Sequence, residues 1–132
     1  MAAPQITTFL MFEGDAEEAM EFYIGLFEDS EIVSLSKYGP EGPGPEGTVV
    51  HATFVLAGQR FMCIDSSVSH DFTFTPATSL YVECRSEAEI DRLHAALSDG
   101  GAELMPLDSY GFSTKFAWLN DRFGVSWQLT LP

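Results

Sequence analysis

The sequence predicts an α+β fold built from two βαβββ modules that share one concave surface. Three observations lead there. Two segments, Asp15-Ala-Glu-Glu18 and Ser86-Glu-Ala-Glu89, carry the residue types that cap a helix and open amphipathic stretches. Each stretch follows one strand-like run and precedes three more, so the order of elements repeats. Half of a 132-residue chain, with one helix over four strands, leaves a sheet face bare, and the halves must bury surface together.

Gln5 to Phe12 is rich in β-forming residues and gives the first strand, closed by a turn at Gly14-Asp15. Asp15 is expected to accept from the amide of Glu18 while Glu18 reaches back, and Ala19, Phe22, Tyr23, Leu26 and Phe27 recur as one apolar helical stripe. Glu31 to Tyr38 reads as the second strand. Gly39-Pro-Glu-Gly-Pro-Gly-Pro-Glu-Gly47 removes donors and restraint together, and reads as a flexible loop at the sheet edge. Thr48 to Leu56 and Arg60 to Asp65 follow as a hairpin turning at Ala57-Gly58-Gln59.

Residues 66–76 form a polar connector, after which the pattern restarts. Thr78 to Cys84 is a strand, and Ser86 caps a helix whose stripe is Ile90, Leu93, His94 and Leu97, terminated by Gly100-Gly101. Glu103 to Tyr110, Ser113 to Leu119 and Val125 to Leu131 complete the set, the last two turning at residues 120–124. The chain is therefore expected to be a single domain, 1–132, made of modules 5–65 and 77–131.

Composition limits the function. With 45% hydrophobic and 13% aromatic residues the chain can bury a sizeable core. Its 20 acidic against 6 basic residues give a formal charge of −14, which repels phosphate backbones and anionic headgroups and argues against nucleic-acid and membrane partners. The excess reads as a solubilising surface or, in the sharper reading, as attraction for a cationic ligand. Met-Ala-Ala-Pro at the N-terminus lacks the features of a signal peptide, and the expected location is cytoplasmic. Cys63 and Cys84 lie in apolar runs, where thiols behave as small buried hydrophobes.

Strand alternation assigns faces. Val125, Trp127 and Leu129 oppose Ser126, Gln128 and Thr130; Leu80, Val82 and Cys84 oppose Ser79, Tyr81 and Glu83. His51 shares a face with Thr53 and Val55, opposite Val50, Ala52, Phe54 and Leu56. The polar sides are expected to line the concave surface and the apolar sides to lie under the helices. His70 and His94 read as solvent-facing or structural.

Several segments, in order, carry a family resemblance: Ile6-Thr-Thr-Phe-Leu-Met-Phe-Glu-Gly14, Ala16-Glu-Glu-Ala-Met-Glu-Phe-Tyr23, His51-Ala-Thr-Phe54, Gly58-Gln-Arg-Phe-Met62, Phe74-Thr-Pro-Ala77 and Trp118-Leu-Asn-Asp-Arg-Phe-Gly-Val-Ser-Trp-Gln128. The chain resembles the PhnB-like branch of the vicinal oxygen chelate superfamily, often labelled 3-demethylubiquinone-9 3-methyltransferase. The resemblance implies a glyoxalase-like cup of mixed β-sheet with the helices outside, and commonly a homodimer. The label also implies S-adenosylmethionine, yet no G-x-G-x-x-G turn joins a strand to a helix here, and two βαβββ modules leave no room for a doubly wound nucleotide fold.

Chelating members of the superfamily place His, Glu or Gln on the first and last strand of each module. The positions this implies are Thr8 and Met62 in the first module and Ser79 and Gln128 in the second, and Gln128 alone among them has ligand chemistry. The expected function is therefore small-molecule binding in the cup without a strongly held metal, other cofactor or methyl transfer. Tyr38, Tyr81, Tyr110 and Trp118 are candidate aromatic contacts, His51, Ser79 and Gln128 candidate polar anchors, and Thr8 and Met62 further ligand-facing positions; Trp127 is assigned to the core. The alternative is an isomerase, lyase, dioxygenase or resistance-type enzyme acting on a small oxygenated substrate, with His51 or Glu83 as general base and a weakly held divalent metal.

Overall fold

The computed structural model describes residues 3–132. Two compact units divide the chain, the first ending at Asp71 and the second spanning Phe72–Pro132. In the first, β1 (Thr8–Phe12), α1 (Ala16–Ile24), β2 (Glu31–Lys37), β3 (Val49–Leu56) and β4 (Gln59–Asp65) form one helix over a sheet of order β1-β4-β3-β2. The second repeats it with β5 (Leu80–Glu83), α2 (Glu87–Ser98), β6 (Ala102–Asp108), β7 (Lys115–Asn120) and β8 (Ser126–Leu131), in the order β5-β8-β7-β6. In each sheet the first and last strands pair in parallel and the others antiparallel. The α+β arrangement of two βαβββ units is the one the sequence predicts.

The start of α1 is not built as the local sequence suggests. Asp15 makes no side-chain cap. Asp65, buried at the end of β4, does the work instead: its Oδ1 accepts from the amides of Gly14 (2.8 Å) and Ala16 (3.0 Å), and its Oδ2 from that of Val49 (2.9 Å). One carboxylate thus satisfies amides at the helix entrance and at the head of β3, groups that would otherwise be orphaned. The apolar face is also rotated from the expected stripe. Ala16, Ala19, Met20 and Tyr23 are buried, Phe22 is half-buried, and Leu26 and Phe27 lie beyond the end of the helix at Ile24.

A bulge corrects the face assignment at the head of β3. Pairing jumps from Ser36↔His51 to Lys37↔Val49, leaving Val50 unpaired, so Val49 is buried and Val50 is 37% exposed. The glycine- and proline-rich loop is tied down rather than loose. It packs on Tyr38, whose ring a Cβ on Gly42 or Gly44 would approach to 2.6 and 2.7 Å, and Tyr38 exchanges backbone hydrogen bonds with Gly47 and Thr48. The following hairpin turns through Ala57 (φ 51) and Gly58 (φ 81), both left-handed as a two-residue turn of the tightest type requires.

In the second unit the expected cap is present: Ser86 Oγ accepts from the Glu89 amide, while Glu89 reaches back to the amide and guanidinium of Arg85 rather than to Ser86. Those Arg85 contacts hold the Glu89 carboxyl below its usual range. Ile90, Leu93 and Leu97 are buried; His94 is half-buried and bonds Glu103, joining α2 to β6. At the β7–β8 turn, buried Asp121 accepts from the amides of Phe123 and Val125 and from the indole of Trp127 (2.8 Å), which is itself 2% exposed. Cys63 and Cys84 are free, buried thiols, one in each unit, pushed up to about 12 and about 11 chiefly by burial. Among the described residues no helix is long and apolar enough to cross a membrane.

Candidate ligand-binding site

The second sheet separates two chemistries by strand alternation. One face carries Ala117, Leu119, Trp127 and Leu129, all buried. On the other, register aligns Tyr81, Gln128, Trp118 and Met105 across β5, β8, β7 and β6. The next rung toward the β7–β8 turn pairs Asn120 with Ser126, and Ser79 hydrogen-bonds Ser126 at 2.7 Å from the start of β5. An aromatic rung thus lies beside a polar one.

Side-chain hydrogen bonds join the rungs. The Trp118 indole N–H donates to Ser126 Oγ (3.0 Å), and Gln128 Nε2 donates to Ser79 Oγ (3.3 Å). Ser126 is only 1% exposed, whereas Tyr81 stands 57% exposed and Trp118, Gln128 and Ser79 are half-buried. The network fixes the Trp118 ring, and the strand below fixes the network. Asn120 Oδ1 is buried and, among the described residues, has no hydrogen-bond partner.

Ser79, Tyr81, Trp118 and Gln128 are therefore brought together. Glu83 shares their face, opposite Thr130, and is exposed. Tyr110 is not part of the group: its hydroxyl donates to the carbonyl of Pro106 and its ring packs with Phe112 and Phe116. Ser126 and Asn120 are residues that sequence reasoning did not single out. Ser126 stood on the polar side of its strand, but Asn120 fell in what read as a turn, because β7 extends one residue further than its apolar pattern.

In the first unit, Phe9, Met62, Thr53 and Ser34 align on one rung, and His51 pairs with Ser36 on β2. Thr8 has the parity of Leu10 and Phe12, both buried, so it belongs to the opposite face from Met62. The registers explain the error: Phe9 lies beside Met62 as Tyr81 lies beside Gln128, which makes Thr7, not Thr8, the counterpart of Ser79. Tyr38 is occupied in holding the loop above it. His51 is half-buried. It belongs to the first unit, and Glu83 and Gln128 belong to the second.

The residues do not fit the groups that the fold's relatives suggest. Thioether, hydroxyl and amide side chains at the superfamily positions offer a divalent ion no anionic or imidazole donor, and among the described residues no three His, Cys, Asp or Glu side chains gather at a metal-binding spacing. For S-adenosylmethionine, neither β–α turn is glycine-rich, and the amides at the entrance of α1 are already taken by Asp65.

Residues 4–130 match the family model described as 3-demethylubiquinone-9 3-methyltransferase. The PhnB protein from Bacillus cereus is 67% identical, with 98% of this chain and 100% of that chain covered and a TM-score of 0.96. A protein from Pseudomonas aeruginosa is 27% identical, covering 98% of each chain, with a TM-score of 0.83. The fosfomycin resistance protein FosX from Listeria monocytogenes, solved with Mn(II) and 1S,2S-dihydroxypropylphosphonic acid, is 15% identical over 98% of this chain and 90% of that one, with a TM-score of 0.64, and shares the fold. No curated protein matches.

Proposed function

Because the chain belongs to the 3-demethylubiquinone-9 3-methyltransferase family, the PhnB-like branch of the vicinal oxygen chelate superfamily, we propose that it binds a small flat molecule on the face of the second sheet away from the buried Leu119 and Leu129. The reading includes no methyl transfer from S-adenosylmethionine and no strongly held metal. The carrying observation is the Trp118 ring, fixed through Ser126 and set beside Gln128, with exposed Tyr81 on the same rung. Rigid aromatic surface with a few oriented polar groups is what small-molecule recognition needs, and fixing the ring beforehand lowers the entropic cost of binding.

The two indoles provide the test. Aromatic fragments titrated into isotope-labelled protein should shift the Trp118 indole resonance and leave that of Trp127 in place. Trp118→Ala should weaken binding about tenfold or more, in line with loss of an aromatic anchor. Fragments that move neither resonance at millimolar concentration would sink the reading. Calorimetric titration with Mn(II), Zn(II), Ni(II) and Fe(II) tests the metal clause: stoichiometric binding abolished by Gln128→Ala or His51→Ala would overturn it.

A further inference from the structure

On the side away from the polar rung, the aromatic rung has an acidic neighbour. Register aligns Glu83, Thr130, Phe116 and Asp108 across the same four strands, one step further along the face that carries Tyr81, Gln128 and Trp118. Thr130 and Phe116 are buried in the middle of that rung, and the carboxylates at its two ends are exposed. Phe112, 65% exposed, meets Phe116 edge-on with ring centroids 5.0 Å apart. Open aromatic surface therefore lies between two accessible carboxylates.

The basic side chains of the second unit are placed elsewhere. Arg85 pairs with Glu89, Lys115 pairs with Glu87 and Asp91, Arg92 lies on α2 with those three acids, and Arg122 stands over the Phe123 ring at the β7–β8 turn. An aromatic ring attracts positive charge through its quadrupole, and a carboxylate at its edge fixes where that charge sits. Tyr81 and Glu83 are two residues apart on one side of β5, roughly 7 Å, and Trp118 is two strands away, about 10 Å. One aromatic ring with a charged substituent spans that distance.

We infer that this face selects a flat aromatic molecule bearing an ammonium group, its ring against Trp118 and its cation over Tyr81 beside Glu83. The inference rests on the binding reading above and narrows it by charge: Trp118 supplies surface that any flat molecule could use, whereas Glu83 and the exposed Tyr81 ring favour a cation. It also gives a location to the attraction for cations that a formal charge of −14 suggests only in general.

Two probes of the same shape separate the possibilities: meta-hydroxyphenyltrimethylammonium and meta-tert-butylphenol differ in charge alone. The full-length protein should bind the cation about tenfold more tightly, with both probes shifting the Trp118 indole resonance. Glu83→Gln and Tyr81→Leu should each cut that preference about threefold, through weaker binding of the cation, and Glu83→Gln should leave the neutral probe as it was.

Glu46→Gln is the control for the field of the whole chain. It removes the same charge from an exposed position in the first unit and should leave the preference intact. Equal binding of the two probes by the unmodified protein, a preference that survives Glu83→Gln, or an equal loss in Glu46→Gln overturns the assignment while leaving the binding site standing. If neither probe moves the Trp118 indole resonance, both readings fall.

Discussion

Two tryptophans nine positions apart in the same hairpin do different work, and their indole partners show why. Trp127 donates to a buried carboxylate, and Trp118 to a serine hydroxyl on the opposite face. Replacing Trp127 with Phe opens a gap and removes the indole's bond to the buried Asp121 carboxylate, and should destabilise the protein by about 3 kcal/mol. The same change at Trp118 removes one neutral bond at a half-buried site and should cost about 1 kcal/mol. Urea unfolding of the two variants measures the difference; equal losses would show that Trp118 is a core residue. Alternation put Trp127 on the apolar side of its strand and Tyr81 and Gln128 on the polar sides of theirs, where the structure aligns them on one rung. Thr8 came instead from the superfamily's spacing, which does not reveal the parallel register that pairs Phe9 with Met62, and Asn120 read as turn because its strand outlasts the apolar run.

At the level of elements, the two helix entrances show what local sequence can and cannot reveal. Ser86 caps α2 from within its own turn, so the motif was legible. Asp15-Ala-Glu-Glu18 has the same look but is unused, because the cap of α1 comes from Asp65, 49 to 51 residues along the chain. Asp65→Ala should therefore cost about 4 kcal/mol, the sum of lost charge-assisted bonds and amides left buried, whereas Asp15→Ala should cost less than about 0.5 kcal/mol. Thermal unfolding distinguishes them, and a larger loss at Asp15 would contradict the arrangement. The bulge at Val50 was hidden for a related reason: it is defined by the partner strand, not by its own residues.

For the molecule as a whole, each unit encloses one thiol that resists ionisation. The pKa of Cys63 is raised to about 12 and that of Cys84 to about 11, from 9.0. A raised acid pKa means that above pH 9 the unfolded chain has already released protons the folded one retains, so stability declines as pH rises through that window. Each thiol contributes up to about 1.4 kcal/mol per pH unit until its folded value is reached. Denaturant midpoints from pH 8 to 11 should fall, and Cys63→Ala and Cys84→Ala together should flatten the decline. An unchanged slope in that double variant would assign it to other groups.

Asp65 also sets the order of events during synthesis. The carboxylate that closes the entrance of α1 is made 51 positions after Gly14, and the strand that carries it is the parallel partner of β1. At about 5–20 residues per second, the ribosome leaves the first helix uncapped and the first strand unpaired for some ~3–10 s. The first unit therefore completes its native contacts only when its last strand emerges. A nascent chain stalled before that point exposes an open strand and an apolar helix face, the kind of surface that chaperones bind.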